Sequence, residues 1–312
     1  MRQGYNETNN MQEEAVVRIS TQTEGIGARL GHDVAVNRIG QAGFDAYDFS
    51  MFDISERNPL FGDGWQAYLD TILKTAKPHG MRCNQAHAPF PSSQPDEPKY
   101  QAYNERIFDL LVRAIEGAGY LGADVIVVHP VQHCCFLKNQ DYLRQANLDF
   151  YRSLAPYAKE AGVKIALENM WQWDAQRGYI VDSTCSSPAC FCDYLDSLAD
   201  DCFTACLDLG HCGLCGYEAA EMIRALGRDR LTALHVHDND HKRDEHVFPY
   251  QRKMNWEAIC RALGEIDYTG DLTFEADGGF AAYPPALYPD ALRLLKKTGE
   301  HLVAKIEGYR VK

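Results

Sequence analysis

Acidic and histidine side chains stand where several short apolar runs of this sequence end. Glu168 follows VKIAL, Asp208 follows FTACL, His237 follows LTALHV and Glu275 follows DLTF. Three carboxylates and one imidazole form a mixed oxygen and nitrogen ligand set that suits Mn²⁺, Mg²⁺, Co²⁺ or Zn²⁺. A single acid at such a position has a simpler explanation, because it often caps the next helix. Four in succession favour a shared metal ion.

The elements that would position these residues alternate along the chain. Short apolar runs predict strands at 15–19, 44–49, 81–86, 124–128, 163–167, 203–207, 231–236 and 271–274. Longer stretches of helical period lie between them, including 33–42, 65–77, 143–161, 189–198, 217–226 and 256–263, whereas 25–31 is expected to be a loop. This alternation predicts βα units and a parallel sheet.

About eight such units without a linker predict an α/β fold, a (β/α)₈ TIM barrel in a single domain over 1–312. The barrel is expected to span about 15–300, with short tails. An open doubly wound sheet is the competing fold, but the Gly25-Ile26-Gly27 stretch lacks the later glycine of a phosphate-binding fingerprint. In a barrel the carboxyl ends of all strands open on one face, so these distant residues would converge there.

Five phrases carry a resemblance to a known family. They are His87-Ala88-Pro89-Phe90, Ala166-Leu167-Glu168-Asn169, Leu207-Asp208-Leu209-Gly210-His211, His235-Val236-His237-Asp238-Asn239 and Phe274-Glu275. In this order and spacing the chain resembles the sugar phosphate isomerase/epimerase group of the xylose-isomerase-like TIM barrel superfamily. Because that group holds several activities, membership implies the fold more firmly than the substrate.

The resemblance implies a role for several residues. Glu168, Asp208, His237 and Glu275 would bind a divalent metal, with Mn²⁺ the first choice. Glu168 and Glu275 would also move a proton to and from the carbon next to a sugar carbonyl, through a metal-stabilised enediolate. His211 would bind a substrate oxygen. Arg243 would also contact substrate, although a solvated loop charge explains it equally well.

Further residues at the predicted barrel mouth are candidates for contacts with a carbohydrate. His87 and His129 end the third and fourth strands, and Trp171 and Trp173 follow the fifth. The two tryptophans would stack on a sugar or an aromatic aglycone, or instead form a lid that packs on the barrel. His133 is an additional acid–base candidate, although a lone loop histidine is more often not catalytic.

Two positions depart from the pattern of the resembling epimerases. Asp48 ends the second strand where many relatives have glutamate, and Asp174 falls where some have a glutamate that touches substrate. Either the substrate differs at those points or Asp48 is only a structural acid.

Isomerisation or epimerisation of a ketose or oxidised sugar is the first hypothesis. The second is a lyase that expels a group by β-elimination, as the inosose dehydratases and C-glycoside-cleaving enzymes resembling this barrel do. The latter work with a small partner subunit. A third is an apurinic endonuclease. His87, His129 and the Asp244-Glu245-His246 segment are compatible with this activity. A fourth is a non-catalytic sugar sensor, which would not need both Glu168 and Glu275.

Composition weighs on these alternatives. The formal net charge of -13 disfavours nucleic acid as a partner. The opening MRQGYNETNN lacks the apolar segment of a signal peptide and no run is long enough to span a bilayer, so we expect a cytoplasmic protein without membrane contact. A homo-oligomer is compatible with the sequence. The eleven cysteines are expected to be reduced thiols, with a zinc or redox pair at Cys212 and Cys215 as the alternative.

Overall fold

The computed structural model describes residues 17–95 and 97–310, and these form the predicted (β/α)₈ barrel. Its parallel strands are β1 Ile19–Gln22, β2 Ala46–Ser50, β3 Arg82–His87, β4 Val125–Val128, β5 Lys164–Glu168, β8 Phe203–Asp208, β9 Leu231–His235 and β10 Leu272–Phe274. A separate antiparallel hairpin, β6 Trp171–Asp174 and β7 Tyr179–Asp182, follows β5. The order around the sheet is β10-β1-β2-β3-β4-β5-β8-β9.

The two ends of this order meet and nearly close the barrel. Val236, just after β9, bridges to Phe274 in β10. The Val236 N–H donates to the Thr273 carbonyl at 2.9 Å, and the Glu275 N–H donates to the Val236 carbonyl at 3.3 Å. Closure matters for the site because it brings β5, β8, β9 and β10 round to face one another across the barrel mouth.

Helices cover the outside of the barrel. They are α1 Glu24–Leu30, α2 His32–Gln41, α3 Trp65–Ala76, α4 Gln101–Leu121, α5 Gln140–Ala161, α6 Pro188–Leu198, α7 Leu209–Leu214, α8 Ala219–Arg230, α9 Trp256–Glu265, α10 Gly278–Ala281 and α11 Tyr288–Tyr309. One face of α4 is an apolar stripe that is buried against the barrel, and it includes Ile107, Leu111, Ala114 and Ala118. Across the described ranges 17–95 and 97–310, no helix has both the length and the apolar character that a membrane span requires.

A small apolar layer fills the inside of the barrel. It consists of Val125, Val127, Ala166, Cys206 and Ala233. Interior-facing side chains of a barrel stack in layers. The next inward-facing residues, two positions further along the strands, therefore form the floor of the barrel mouth.

Three local predictions differ from the structure. The first strand lies at 19–22 instead of 15–19, and 15–16 fall outside the described residues. The prediction of a loop at 25–31 is wrong, since Glu24–Leu30 is helical. The glycines there serve close packing instead: a Cβ on Gly27 would lie 2.3 Å from His32 Cδ2. The third difference is the β6–β7 hairpin, because the alternating apolar runs predicted no strands between the fifth and sixth strands of the barrel.

Candidate active site

Four side chains from neighbouring strands point into the barrel mouth at one level. Successive side chains of a strand alternate between its two faces. The residues two positions after the interior layer of β5, β8 and β9 therefore also face inward, and they are Glu168, Asp208 and His235. Glu275 follows the buried Thr273 of β10 in the same way.

These four residues, the central quartet, are close enough to hold one ion. His235 Nδ1 lies 2.9 Å from Glu168 Oε1, 3.1 Å from Glu275 Oε2 and 3.9 Å from Asp208 Oδ2. One ligand atom from each residue lies within 4.8 Å of the others. The quartet thus has the ligand number and the mixed oxygen and nitrogen character that a divalent cation needs.

The imidazole of the quartet is His235, whereas the sequence reasoning assigned His237. His237 lies beyond the end of β9, on the far side of Asp208, to which its Nε2 donates at 2.9 Å. Its ring stacks on that of His246 with centroids 3.8 Å apart. The His237 ring also packs directly on Gly210, because a Cβ at that position would lie 2.1 Å from His237 Cε1. The alternation of β9 carried the signal for His235, because Ala233 and His235 share a face.

A second group of possible ligands adjoins the quartet and shares Asp208 with it. It contains Asp208, His211, His237 and His246. Asp244 joins these rings, since its carboxylate lies 3.4 Å from His211 Nε2 and 3.0 Å from His246 Nε2. The Asp244-Glu245-His246 segment of the sequence therefore lies at the site.

A third group shares Glu168 with the quartet on its other side. His129 Nε2 lies 2.9 Å from Glu168 Oε2, and His87 Nε2 lies 3.6 Å from the same oxygen. The His87 ring is parallel to that of His235, with centroids 5.4 Å apart. A fourth group, of His87, His235 and Glu275, shares two residues with the quartet, so four overlapping ligand groups line the barrel mouth among the described residues.

Buried carboxylates of the quartet depend on neighbouring positive charge. Burial alone would raise the pKa of Glu168, but the imidazoles of His235 and His129 outweigh it and hold that pKa well below its usual range. Burial is likewise outweighed at Asp208, where His211 and His237 lower the pKa to about 2. A bound cation would take over this role from the charged rings of His211 and His235, whose pKa values the surrounding acids raise, so metal binding is expected to release protons.

Histidines around the quartet differ in charge. Burial would lower the pKa of His211, but Asp208 and Asp244 raise it to about 10, which makes this ring a hydrogen-bond donor at neutral pH. Burial dominates at His129 and lowers its pKa despite the attraction of Glu168. The site therefore presents a charged imidazole on one side and a neutral one on the other.

A cavity of about 620 Å³ opens above the quartet. Its lining contains Glu168, Glu275 and six of the predicted substrate or acid–base residues, which are His87, His129, His133, Trp171, Trp173 and His211. Asp208 and His235 lie beneath it, fully buried. The structure thus brings most residues predicted from the sequence to one cavity.

A family model described as xylose isomerase-like TIM barrel matches residues 36–298. The chain belongs to this family. Uncharacterized protein y4fM of Sinorhizobium fredii is 26% identical over 198 residues, which is 61% of this chain and 60% of y4fM. Uncharacterized protein MJ1311 of Methanocaldococcus jannaschii is 28% identical over 196 residues, 61% of this chain and 62% of MJ1311. The chain thus spans about three fifths of the length of these relatives.

Solved structures share the fold of this xylose isomerase-like barrel at low sequence identity. A D-tagatose 3-epimerase-like protein superposes with a TM-score of 0.71 and 18% identity, covering 93% of this chain and 98% of that one. The 3-keto-D-glucoside 4-epimerase YcjR of E. coli gives 0.68 and 18%, covering 90% and 99%. The IOLI protein, solved with a zinc atom, gives 0.67 and 17%, covering 93% and 99%.

Arg243 lies apart from the site in this member of the family. Its guanidinium donates to Asp240 Oδ2 at 3.0 Å and lies 3.7 Å from Glu245, and its side chain is 73% exposed. It is not among the described residues that line the cavity. The solvated loop charge is therefore the better description, because this arginine is held by acids of its own loop.

The two departures from the epimerase pattern have different positions. Asp48 is fully buried beside the quartet, with its Oδ2 accepting from Gln85 and lying 3.9 Å from His235 Nε2. Burial raises its pKa to about 6. Asp174 ends β6, where its carboxylate accepts from the backbone N–H groups of Gln176 and Arg177. Asp174 therefore shapes the hairpin turn.

The cysteines form no metal site within the described part of the chain. All eleven are free thiols, and none belongs to the groups of possible ligands found there. Cys212 Sγ points to the Asp208 carbonyl and Cys215 Sγ to the Met170 carbonyl. Each of these two thiols thus faces a backbone carbonyl.

Proposed function

We propose that this chain is a divalent-metal-dependent enzyme that isomerises or epimerises an oxidised sugar. It would remove a proton from the carbon next to a carbonyl and return it at another position or on the other face. The observation that carries the proposal is the central quartet: three carboxylates and one imidazole, buried together at the floor of a cavity of sugar-binding size.

The quartet fits a cation for an electrostatic reason. Glu168, Asp208 and Glu275 are at most 8% exposed, and three carboxylates so close together repel one another strongly in a medium of low polarity. A divalent ion would offset two of the three negative charges, and we propose Mn²⁺ for the mixed ligand set, with Mg²⁺, Co²⁺ and Zn²⁺ as alternatives. When bound, such an ion supplies Lewis-acid stabilisation of the charge that develops on the substrate oxygens.

The chain's own residues would handle the proton. Glu168 and Glu275 both line the cavity, and both approach His235 Nδ1 from separate strands. One carboxylate would accept the proton from the substrate carbon, while the other would deliver one. His211, with its raised pKa, would donate a hydrogen bond to a substrate oxygen. His87 and His129 would contact the sugar from the opposite side.

A lyase that eliminates a β-substituent is the second candidate, because it begins with the same proton removal. The observation that favours it is His133, which lines the cavity together with Trp171 and Trp173. Its Nδ1 shares a hydrogen bond with Ser93 Oγ at 2.9 Å, and its Nε2 one with Tyr142 Oη at 3.1 Å. To act as an acid on a departing group, this ring would exchange one of the two hydrogen bonds for one to the substrate, and a small partner subunit would accompany this activity.

Deuterium wash-in tests the proposal directly. The Mn²⁺-loaded protein is incubated in D₂O with ketoses and 3-keto sugars, and exchange is followed by mass spectrometry. Exchange with retention of all substituents supports isomerase or epimerase activity, and exchange with release of a group supports the lyase. An abasic DNA substrate, left uncut, serves as the negative control for nuclease activity.

Matched variants test the role of the two glutamates. Glu168→Gln and Glu275→Gln should each lower the exchange rate by at least about a thousandfold, since an amide cannot accept the proton. Glu300→Gln, an exposed position on α11, should leave the rate unchanged. Full activity in either quartet variant would remove the proton-transfer assignment.

A further inference from the structure

The two carboxylates proposed for proton transfer have different neighbours. Imidazoles contact both oxygens of Glu168, with His235 Nδ1 at 2.9 Å from Oε1 and His129 Nε2 at 2.9 Å from Oε2. Glu275 meets His235 with Oε2, which lies 3.1 Å from Nδ1. Its other oxygen, Oε1, accepts a hydrogen bond at 2.8 Å from the side-chain amide of Gln22. An uncharged group therefore holds one side of Glu275.

The pairing of two strands brings Gln22 to Glu275. Strands β1 and β10 are parallel, with Thr21 opposite Phe274, so the residues that follow these two stand side by side. Thr21 Oγ1 also donates to the Phe274 carbonyl at 3.3 Å, which ties the two strand ends together. Gln22 is the last residue of β1 and is 4% exposed. The barrel frame itself thus fixes the position of this amide.

The Gln22 amide has a single hydrogen bond among the described residues, and that bond goes to Glu275. Its Nε2 carries the N–H groups and is the end that can meet a carboxylate, because two acceptor oxygens repel one another. Its Oε1 is buried without a hydrogen-bond partner in the same part of the chain, and such an acceptor costs stability. The contact with Glu275 therefore explains the amide better than a contribution to folding does.

A neutral donor suits a carboxylate that takes up and returns a proton. A lysine or arginine in place of Gln22 would strongly favour the ionised form of Glu275, whereas an amide orients the carboxylate with a smaller effect on its charge. One N–H occupies one lone pair of Oε1 and leaves the second lone pair free. The carboxylate can thus keep one direction in both of its protonation states.

Gln22 lies behind the site, since it is not among the described residues that line the cavity, whereas Glu275 is. We propose that Gln22 is a positioning residue, which holds Oε1 of Glu275 so that Oε2 faces the quartet and the carboxylate is aimed at the substrate carbon. This inference rests on the proposed function and adds to it a residue that acts only through Glu275.

Gln22→Met tests the positioning role, because methionine keeps the length of the side chain and removes the amide. With saturating Mn²⁺ and the ketose or 3-keto sugar that exchanges fastest, kcat should fall about 10- to 100-fold, the range typical of a lost outer partner. KM should stay within about twofold, since Gln22 does not touch substrate. An unchanged kcat, or a loss confined to KM, would overturn the proposal.

The matched control is Gln85→Met. Gln85 is also buried, and its Nε2 donates at 2.9 Å to a carboxylate outside the quartet, that of Asp48. This variant should lower the stability to urea at least as much as Gln22→Met does, because Asp48 is fully buried, yet leave kcat within about twofold. Losses of kcat that follow the losses of stability in both variants would show that Gln22 is merely structural.

Two measurements without substrate separate this inference from the proposed function. In heteronuclear NMR spectra of the metal-free protein, the Gln22 side-chain amide, identified by its loss in Gln22→Met, should shift in Glu275→Ala. An unmoved resonance would refute the contact. Calorimetric titration with Mn²⁺ should give about tenfold weaker binding in Gln22→Met and less than about twofold weaker binding in Gln85→Met. Equal Mn²⁺ binding in both would refute the positioning of Glu275, whereas absent exchange with every sugar refutes only the proposed reaction.

Discussion

The two ends of the barrel arrange buried charge in opposite ways. At the amino-terminal end, Asp271 accepts from Arg18 Nε at 3.0 Å and from Arg82 Nη2 at 3.2 Å. Arg82 also pairs with Asp124 at 2.6 Å, so acids and arginines alternate there. At the carboxyl-terminal end the ion-pair partners of the quartet carboxylates among the described residues are histidines, and Glu275 also accepts from the uncharged Gln22 amide at 2.8 Å.

This contrast separates a structural end from a functional one. A buried acid that meets a permanent guanidinium is neutralised at every pH at which the protein folds, and it needs no ligand. Acids that meet only imidazoles keep their partners only while those rings are protonated. The carboxyl-terminal end is therefore left short of positive charge, which a divalent cation would supply. This is also the end at which barrel enzymes build their active sites.

The largest expected effect concerns the choice between two histidines. His235→Ala should weaken Mn²⁺ binding by more than about a hundredfold, because it removes a ligand of the quartet. His237→Ala should weaken it only about tenfold, since His237 supports Asp208 from outside, and outer partners typically contribute factors of about 10–100. Calorimetric titration measures both constants. The reverse order would restore His237 as the ligand and displace His235 from the quartet.

The strand periodicity explains why the sequence pointed to His237, while the structure places the neighbouring His235 among the three carboxylates and His237 in the adjoining group of possible ligands. The run LTALHV suggested a strand through 236 with the ligand just after it. The structure ends β9 at His235, and its interior side chain Ala233 sets the face. Asp238, which follows His237, is buried, and its carboxylate accepts from the Trp256 indole N–H and from the backbone N–H of Arg252 in the next loop. Strict alternation of side chains along β9 predicts that His235, two residues after Ala233, faces the barrel interior.

Other features were open to the sequence only in part. Strand positions within a few residues, the helical stripe of α4 and the three acids of the quartet follow from local patterns. The start of β1 does not, because polar Ser20 is buried in the barrel and bonded to Asn84, a pairing between distant strands. Two further features depend on tertiary contacts in the same way. They are the exposed position of Arg243, which pairs with Asp240, and the closeness of Asp244 to His211.

A smaller effect is expected when a buried carboxylate at the amino-terminal end of the barrel is removed. Asp271→Asn removes a carboxylate that is 7% exposed and leaves two arginines without it. Because both guanidiniums are partly exposed, the loss in free energy of unfolding should be about 2–3 kcal/mol, below that of a fully buried pair. Urea unfolding measures it. Mn²⁺ affinity should stay within about twofold, and a large loss of affinity would show that the two ends are coupled.

The smallest effect concerns Asp48, an acid at the carboxyl-terminal end outside the quartet. Burial raises its pKa from 3.8 to about 6, so the folded protein holds this proton more tightly than the unfolded chain does. Ionised Asp48 therefore costs stability above pH 6, and this cost disappears as the pH falls towards 4. Asp48→Asn, which keeps an acceptor for Gln85, should raise the free energy of unfolding of the metal-free protein by about 2 kcal/mol at pH 7.5.

The pH dependence of that gain distinguishes the cause. If burial sets the cost of Asp48, the difference between variant and parent stays nearly constant above the folded pKa of about 6 and shrinks as the pH falls from 6 to 4, while the exposed control Asp63→Asn gives a flat difference. A variant that is less stable at pH 7.5 would instead mean that the Asp48 carboxylate stabilises His235, 3.9 Å away. Asp48 would then be a balanced acid like Asp271, and the shortage of positive charge would be confined to the quartet.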